Sequence, residues 1–236
     1  MNFSRRFPAI LGLFLSAGVL SALAQQAAPA GAGLDDRSVL VEWSEEKQSV
    51  AEKPSGDAAE ADELKAELEA RIEEAMAGMG RGMSEEALVI FQQVLREDPQ
   101  NKRARFGIGT AYIQMNNYRE ALAVLEPMTE EFPDDFSVKN NVAWLYATAR
   151  DLSVRNGAKA IRFAQEALLI NPHSYQVWNT LSESYFITGE YERAQRAAEE
   201  ALKLALQQNA PESSVMDYRR QAEKSRRAAR AMSLLE

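Results

Sequence analysis

Few residues of this 236-residue chain have the type and spacing that catalysis or metal binding needs. Ser44-Glu45-Glu46-Lys47 matches S-x-x-K, in which a lysine activates a serine nucleophile, but neither S-D-N nor K-T-G follows it. The chain has no cysteine and one histidine, His173, so a zinc site is not expected. GMGRG (78–82) lies between predicted helices rather than after a strand, which disfavours phosphate binding. We predict no catalytic residue, no metal site and no cofactor.

The first 24 residues have the three parts of a secretory signal peptide. Arg5-Arg6 forms a positive start, an apolar stretch runs from Phe7 to Leu20, and Ala22-Leu23-Ala24 is a small-x-small cleavage site. A retained membrane anchor is the disfavoured alternative, because glycines and serines interrupt the apolar stretch. We therefore expect an exported protein with no stable membrane anchor after cleavage. The expected compartment is the periplasm of a Gram-negative-type bacterium, with the extracellular space as the alternative.

Residues 25–60 have the composition of a flexible linker, rich in alanine, glycine, proline, serine and acidic residues. Within it, Val39, Val41 and Trp43 alternate in SVLVEW, which suggests a short strand or a docking motif that could occupy the protein's own binding groove. A loosely packed apolar patch is an equally open alternative. The whole chain has a formal net charge of −8, so we expect no nucleic-acid partner.

From residue 61 the chain repeats itself. Tyr112 and Tyr146 are 34 residues apart, whereas Tyr146 and Tyr185 are 39 apart. The same two intervals separate Ala87, Ala121 and Ala160 and separate Pro99, Pro133 and Pro172. The additional five residues therefore lie between Tyr146 and Ala160, within RDLSVRNG (150–157). A regular period of this length, with helical spacing inside each unit, indicates stacked helical hairpins.

The repeats resemble the tetratricopeptide repeat (TPR) family, whose pattern is W-x2-L-G-x2-Y followed by alanine and proline. The last repeat has Trp178, Leu181, Ser182, Tyr185 and Ala194 at these places. The resemblance implies an all-α, right-handed α-solenoid of antiparallel helix pairs with a C-terminal capping helix and a disordered N-terminal linker. The predicted units are a degenerate repeat at 61–101, repeats at 102–135, 136–174 and 175–210, and the capping helix at 211–236.

Residues 211–236 have the pattern of a helix that covers the last repeat. Val215, Tyr218, Ala222, Ala229 and Met232 form its expected apolar face, and the arginines and lysine opposite are expected to be solvated. Ser214 and Asp217 have the spacing of a capping box at the start of this helix.

By resemblance, the first helix of each repeat lines a concave groove that binds a protein or peptide partner. Asparagine can hydrogen-bond a peptide backbone as donor and acceptor, and aromatic residues can form apolar pockets. Of the carboxylate clamp that some family members use, only Asn141 is present, so a free C-terminal carboxylate is not the expected ligand. The expected groove residues are Arg103, Phe106, Thr110, Asn140, Trp144, Gln176, Asn179, Glu183 and Phe186.

Two other functions remain open at this stage, and the sequence leaves the oligomeric state undecided. Helix 62–77 places Leu64, Leu68, Ile72 and Met76 on one face, so a short coiled coil could make the protein a self-associating, envelope-organising subunit. The protein could also be an accessory subunit of an envelope enzyme.

The five-residue insertion is expected to be structural. Asn156-Gly157 suits a turn with positive φ, and Asp151 and Arg155 could brace the longer turn. Gly157 takes the place that Tyr118 and Tyr191 hold in the neighbouring repeats. This turn should project from an edge of the solenoid, away from the groove.

Overall fold

A computed structural model describes the backbone of residues 56–234 and the side chains from residue 60. The predicted signal peptide, the linker up to residue 55 and the Val39–Trp43 motif lie outside the described residues. Within 56–234 the chain is α-helical, with no strand. The helices are α1 (Gly56–Gly80), α2 (Ser84–Glu97), α3 (Lys102–Gln114), α4 (Tyr118–Glu131), α5 (Phe136–Thr148), α6 (Gly157–Ile170), α7 (Tyr175–Ile187), α8 (Tyr191–Gln207) and α9 (Glu212–Ser233).

A polar residue two positions after a proline begins the first helix of each of the three regular repeats. The proline cannot continue the preceding helix, and the polar side chain accepts a hydrogen bond from a free backbone N–H of the next one. The capping pairs are Asn101 with Ala104 N at 3.0 Å, Asp135 with Ser137 N at 2.9 Å, and Ser174 with Val177 N at 3.4 Å, following Pro99, Pro133 and Pro172.

Small residues allow the two helices of each repeat to pack closely. Ala121, Ala160 and Ala194 are fully buried. A Cβ atom on Gly109 would lie 2.4 Å from Leu125 Cγ, so a larger residue would push α3 and α4 apart. Ser182 takes the corresponding place in α7, where its hydroxyl donates to Ala194 O at 2.8 Å.

Contacts between alternate helices show which side of the solenoid is concave. Each odd-numbered helix from α1 to α9 contacts the next odd-numbered helix, most extensively between α5 and α7. No contact of similar extent joins successive even-numbered helices in the described range. Because the helices on the inner side of a curved stack lie closest together, α3, α5 and α7 line the concave surface and the even-numbered helices form the convex side.

Helix α1 differs from its predicted boundaries and from its proposed role in a coiled coil. It begins at Gly56, within the predicted linker, and continues through Gly78 to Gly80. Leu68, Ile72 and Met76 are buried in one cluster with Phe91 and other residues of α2 and α3, and only Leu64 of the four remains exposed. The face expected to form a coiled coil therefore belongs to the protein's own core.

The predicted capping box of α9 is wrong. The helix begins at Glu212, its N-cap residue is Pro211, and no side chain caps it. Ser214 is the third residue of the helix and is buried, with its hydroxyl oxygen unpartnered in the described part of the chain. Of the predicted apolar face, Tyr218, Ala222 and Ala229 are buried, whereas Met232 is exposed beside the hollow between α9 and the start of α8.

The insertion in the third repeat returns the chain to the same point as the shorter turns do. In the neighbouring turns, Asn117 N donates to Tyr112 O and Glu190 N donates to Tyr185 O, five residues apart in both cases. Asn156 N donates to Tyr146 O, ten residues apart. The additional residues thus form a protruding loop that leaves the frame of the repeat unchanged.

Side chains of the insertion brace this loop as expected. Arg155 Nε donates to Ala149 O at 2.7 Å, and Asp151 accepts from Ser153 N and Oγ. The hydrogen bonds from Ser153, followed by the charge of Arg119 in α4, hold the pKa of the Asp151 carboxyl below its usual value. Val154 is buried under the loop.

The predicted positive φ at Asn156-Gly157 is wrong, and the glycine is needed for space. Asn156 has φ −149° and caps α6 by accepting from Lys159 N at 3.0 Å. Gly157 is the first residue of α6, as Tyr118 and Tyr191 are of α4 and α8. A Cβ atom on Gly157 would lie 2.4 Å from Thr188 Cγ2 in the next repeat.

Candidate functional site: the concave surface

The concave surface is formed by α3, α5 and α7, which carry all nine of the predicted groove residues. Its geometry follows from the caps and small residues described above, since these set the direction and separation of the three helices. We call this surface the groove. The structure distinguishes the predicted residues by burial and by the partners that they already have.

At the α3 end, two of the predicted residues have partners within the protein. The Arg103 guanidinium pairs with Glu69 and Glu73 of α1. Burial lowers the pKa of Arg103, but the hydrogen bonds and charges of the two glutamates outweigh this effect and raise it. Thr110 is only 1% exposed and its hydroxyl donates to Phe106 O, so it presents almost no surface to a ligand. Phe106 is partly buried and packs against the core.

In α5, two neighbouring asparagines have different surroundings. Asn141 is fully buried, and its Nδ2 donates to Thr110 Oγ1 at 3.5 Å, so it links α5 to α3 and is not part of a ligand clamp. Asn140 is 4% exposed, and its Oδ1 is shielded from solvent without a hydrogen-bond partner in the described range. Trp144, one turn further along the same face, is partly buried against the central core cluster.

In α7, Asn179 repeats the situation of Asn140. The two residues are 39 positions apart, which is one repeat plus the insertion, and Asn179 Oδ1 is likewise shielded and unpartnered within the described residues. Gln176 has a partner, because its Oε1 accepts from Ser174 Oγ at 3.0 Å. The two equivalent asparagines are therefore the predicted groove residues with an acceptor that the described protein leaves unused.

At the C-terminal end of the groove, α9 contributes a residue that the sequence did not reveal. Lys224 Nζ lies 3.1 Å from Glu183 Oε2 and 3.9 Å from the centre of the Phe186 ring. Phe186 also makes an edge contact with Tyr191, with ring centres 5.2 Å apart. The sequence predicts that Lys224 belongs to the solvated face of α9, because nothing distinguishes it from the other basic residues of that helix.

Two hollows in the described part of the structure lie outside the groove. One, of about 350 Å³, is bounded by the start of α8 and the end of α9. The other, of about 290 Å³, lies between α2, α3 and α4 on the convex side, with Leu95, Ile108 and Val124 in its wall. Neither hollow has a residue of α5 or α7 in its wall.

Among residues 56–234, no group of three or more histidine, aspartate or glutamate side chains is placed to hold a metal ion. None of the helices in this range is long and apolar enough to cross a membrane.

The fold and its groove define a class of protein, the α-solenoids built from helical hairpins, whose groove-forming members bind other proteins. Two tetratricopeptide repeat models match this chain, one over residues 79–145 and one over residues 175–208. Over these two stretches the chain is similar to tetratricopeptide repeats, as its sequence predicted. Residues 146–174, which hold the insertion, lie outside both matches.

Solved structures agree on the fold. A thermophilic TPR protein of Thermus thermophilus matches with a TM-score of 0.52 at 15% identity, covering 70% of this chain and 98% of that one. MamA, residues 41 to the end, from Desulfovibrio magneticus RS-1 matches with a TM-score of 0.50 at 14% identity, covering 70% and 96%. No curated protein matches the sequence.

Proposed function

We propose that this protein is an exported, non-catalytic scaffold that binds an extended segment of a partner protein in its groove, within a complex of the cell envelope. The observation that carries the proposal is the pair of equivalent buried acceptors, Asn140 Oδ1 and Asn179 Oδ1, on neighbouring groove helices.

Leaving a buried acceptor unpartnered costs about 1–3 kcal/mol, so native proteins rarely retain one without a use. An extended peptide presents backbone N–H groups at regular intervals. After a small rotation of each amide, two such groups would supply the donors that Asn140 and Asn179 lack. Equivalent positions in successive repeats suit a ligand that runs along the solenoid.

The partly buried rings of Trp144 and Phe186 favour apolar side chains in the bound segment. Lys224 stands at the same end as Phe186 and is already paired with Glu183, so the charge of Lys224 is compensated and a carboxylate gains less from it. We therefore expect the ligand to be an internal, apolar-rich segment rather than a free C-terminus.

A photo-cross-linking amino acid tests the location of binding. It is placed at Trp144 in the groove and, in a matched control, at Val89, an exposed apolar residue of α2 on the convex side. We expect a discrete cross-linked partner from envelope extracts with the Trp144 probe and none with the Val89 probe. The same pattern of products from both positions would contradict binding in the groove.

The role of the two amides is tested by adding Asn140→Ala and Asn179→Ala to the Trp144 probe. The control is Asn117→Ala, which removes an exposed asparagine whose side chain caps nothing. We expect the double substitution to reduce the cross-linked product at least tenfold and the control to leave it unchanged. Undiminished cross-linking would show that the amides do not hold the ligand.

Export rests on the sequence alone and needs its own test. We expect cell fractionation to find the protein in the periplasm and N-terminal sequencing of the purified chain to begin at Gln25. A cytoplasmic chain beginning at Met1 would refute export and leave the groove proposal untouched.

A further inference from the structure

The two terminal helices of the described chain carry opposite charges on their unpartnered faces. Helix α1 has eight acidic and two basic residues, a formal charge of −6, and α9 has six basic and three acidic residues, a formal charge of +3. A terminal helix needs only a polar outer face for solubility, and either sign would serve. Opposite signs at the two ends of a stack make one end complementary to the other.

On α1 the acidic residues form a stripe that faces away from the core. Glu60, Glu63, Glu67 and Glu74 follow the i, i+3, i+7, i+14 spacing of one helix face, and all four are exposed. Glu60, Glu63 and Glu74 make no ion pair within residues 60–234, and Glu67 has only a 4.0 Å contact with Arg71. Leu64, 45% exposed, lies beside this stripe.

On α9 the basic residues follow the same kind of spacing. Met216, Arg219, Glu223, Arg227, Arg230 and Leu234 lie on one exposed face, opposite the buried Tyr218 and Ala222. Arg220 and Arg226 are paired with Asp217 and Glu199 of their own chain. Arg219, Arg227 and Arg230 make no ion pair among the described residues.

We propose that the acidic stripe of α1 binds the basic stripe of α9 of a second copy, so that copies associate head to tail. Three unpaired arginines face a row of glutamates, and the exposed Leu64, Met216 and Leu234 add apolar contact. The two surfaces differ, so each copy keeps one free end, and the association forms open chains rather than a closed dimer. Pairing of two α1 helices would instead bring acidic stripes together.

Salt and concentration give the first measurement. The full-length chain, in the form that an expressing bacterium processes, is studied by sedimentation velocity at low salt and at about 1 M salt, where the Debye length falls to about 3 Å. We expect the weight-average mass to rise continuously with concentration at low salt, to at least twice the monomer mass, and to return to the monomer value at high salt. A monomer under both conditions, or a dimer of fixed size that salt does not affect, would overturn the proposal.

Charge reversal gives the decisive measurement. One variant carries Glu63→Lys, Glu67→Lys and Glu74→Lys, and the other carries Arg219→Glu, Arg227→Glu and Arg230→Glu. All six residues are exposed, so both variants should keep the helical signal and melting temperature of the unmodified chain. We expect each variant alone to be monomeric at low salt and an equal mixture of the two to associate, because each then meets an end of opposite charge.

Other occupants of the basic stripe would give different results. If only the arginine variant loses assembly, or if the mixture stays monomeric, the acidic stripe is not the partner and head-to-tail binding is refuted. Binding of the basic stripe to vesicles of anionic lipid, with self-association unchanged in both variants, would assign that stripe to a membrane surface instead. None of these results depends on what occupies the groove.

Discussion

Replacing Asn140 and Asn179 by alanine should separate stability from binding. Within a helix, asparagine is less favourable than alanine by up to about 0.7 kcal/mol. Removing an unpartnered buried acceptor relieves about 1–3 kcal/mol, and the lost packing of the amide carbon costs about 1 kcal/mol. Because both Oδ1 atoms lack a partner among the described residues, we expect the free energy of unfolding to stay unchanged or to rise by up to about 3 kcal/mol per site.

The neighbouring Asn141 provides the matched comparison. It is equally buried but donates to Thr110 Oγ1, so its replacement by alanine removes a hydrogen bond and leaves that hydroxyl with one partner fewer. We expect Asn141→Ala to lower the free energy of unfolding by about 1–3 kcal/mol. Urea unfolding followed by far-UV circular dichroism measures all three variants under one set of conditions.

Binding should change in the opposite direction. If each amide contributes about 1–3 kcal/mol to holding a peptide, each substitution weakens the partner's affinity by about fivefold to 150-fold. The assay is titration of the partner segment identified by cross-linking. If Asn140→Ala and Asn179→Ala destabilise the protein as much as Asn141→Ala does, and the affinity is unchanged, both amides are structural and the reasoning fails.

Three further predictions concern the frame of the solenoid. Gly157→Ala should lower the free energy of unfolding by about 1–3 kcal/mol, because the new methyl group crowds the methyl of Thr188, although glycine to alanine normally stabilises a helix. Adding Thr188→Ser should recover most of the loss. A Gly157→Ala variant that is more stable than the unmodified chain would disprove the contact. Residues 149–156 can be replaced by Met-Asn-Asn, the three-residue turn of the preceding repeat. This variant should keep the helical signal and lose about 1–3 kcal/mol of the free energy of unfolding, because the buried Val154 is removed. Loss of the fold would show that the insertion does more than protrude. Burial raises the pKa of the Glu126 carboxyl, but hydrogen bonds from Lys159 and Tyr146 outweigh this effect and lower it. The stabilisation that results is present above the unfolded pKa of about 4.3 and is lost as pH falls through the folded pKa. Glu126→Gln should therefore lose less stability between about pH 5 and pH 3 than the unmodified chain, and equal losses would contradict the assignment.

The regular part of the fold could be predicted because each repeat contains the same residue types at the same positions. Tyrosine, alanine and proline recur at constant intervals, so comparing the repeats with one another was enough to find the five-residue insertion between Tyr146 and Ala160. The backbone hydrogen bond from Asn156 N to Tyr146 O confirms that the insertion protrudes from an unchanged frame. The polar caps that follow each proline were also visible in the sequence, and they would have predicted where α3, α5 and α7 begin.

The state of individual groove residues could not be predicted in this way. Three residues have helical positions that face the concave side: Arg103, Thr110 and Asn140. Yet Arg103 is paired with glutamates of α1, Thr110 is buried and already hydrogen-bonded, and Asn140 has an acceptor without a partner among the described residues. Helix periodicity predicts the direction in which a side chain leaves the axis of its own helix. What that side chain meets depends on the neighbouring helices, which lie about 30 residues away in the sequence.

The glycine at 157 shows the same limit for local rules. Asn-Gly is typical of turns with positive φ, and the sequence alone supports that reading. In the folded chain Asn156 is an N-cap, and the glycine is needed because Thr188 of the next repeat occupies the space of a side chain. Glycine is needed at position 157 because of a contact with a residue 31 positions further along the chain, and no local sequence pattern indicates such a contact.

By itself, the sequence determined the helical class, the repeat length, the site of the insertion and the face of each helix, because these follow from spacing along one chain. Only the tertiary structure showed which asparagines have an acceptor without a partner among the described residues. It also showed that most of the apolar face of α1 is buried in the core and that Lys224 lies at the end of the groove. Burial and pairing are properties of the space between helices, and the curvature of the whole stack sets that space.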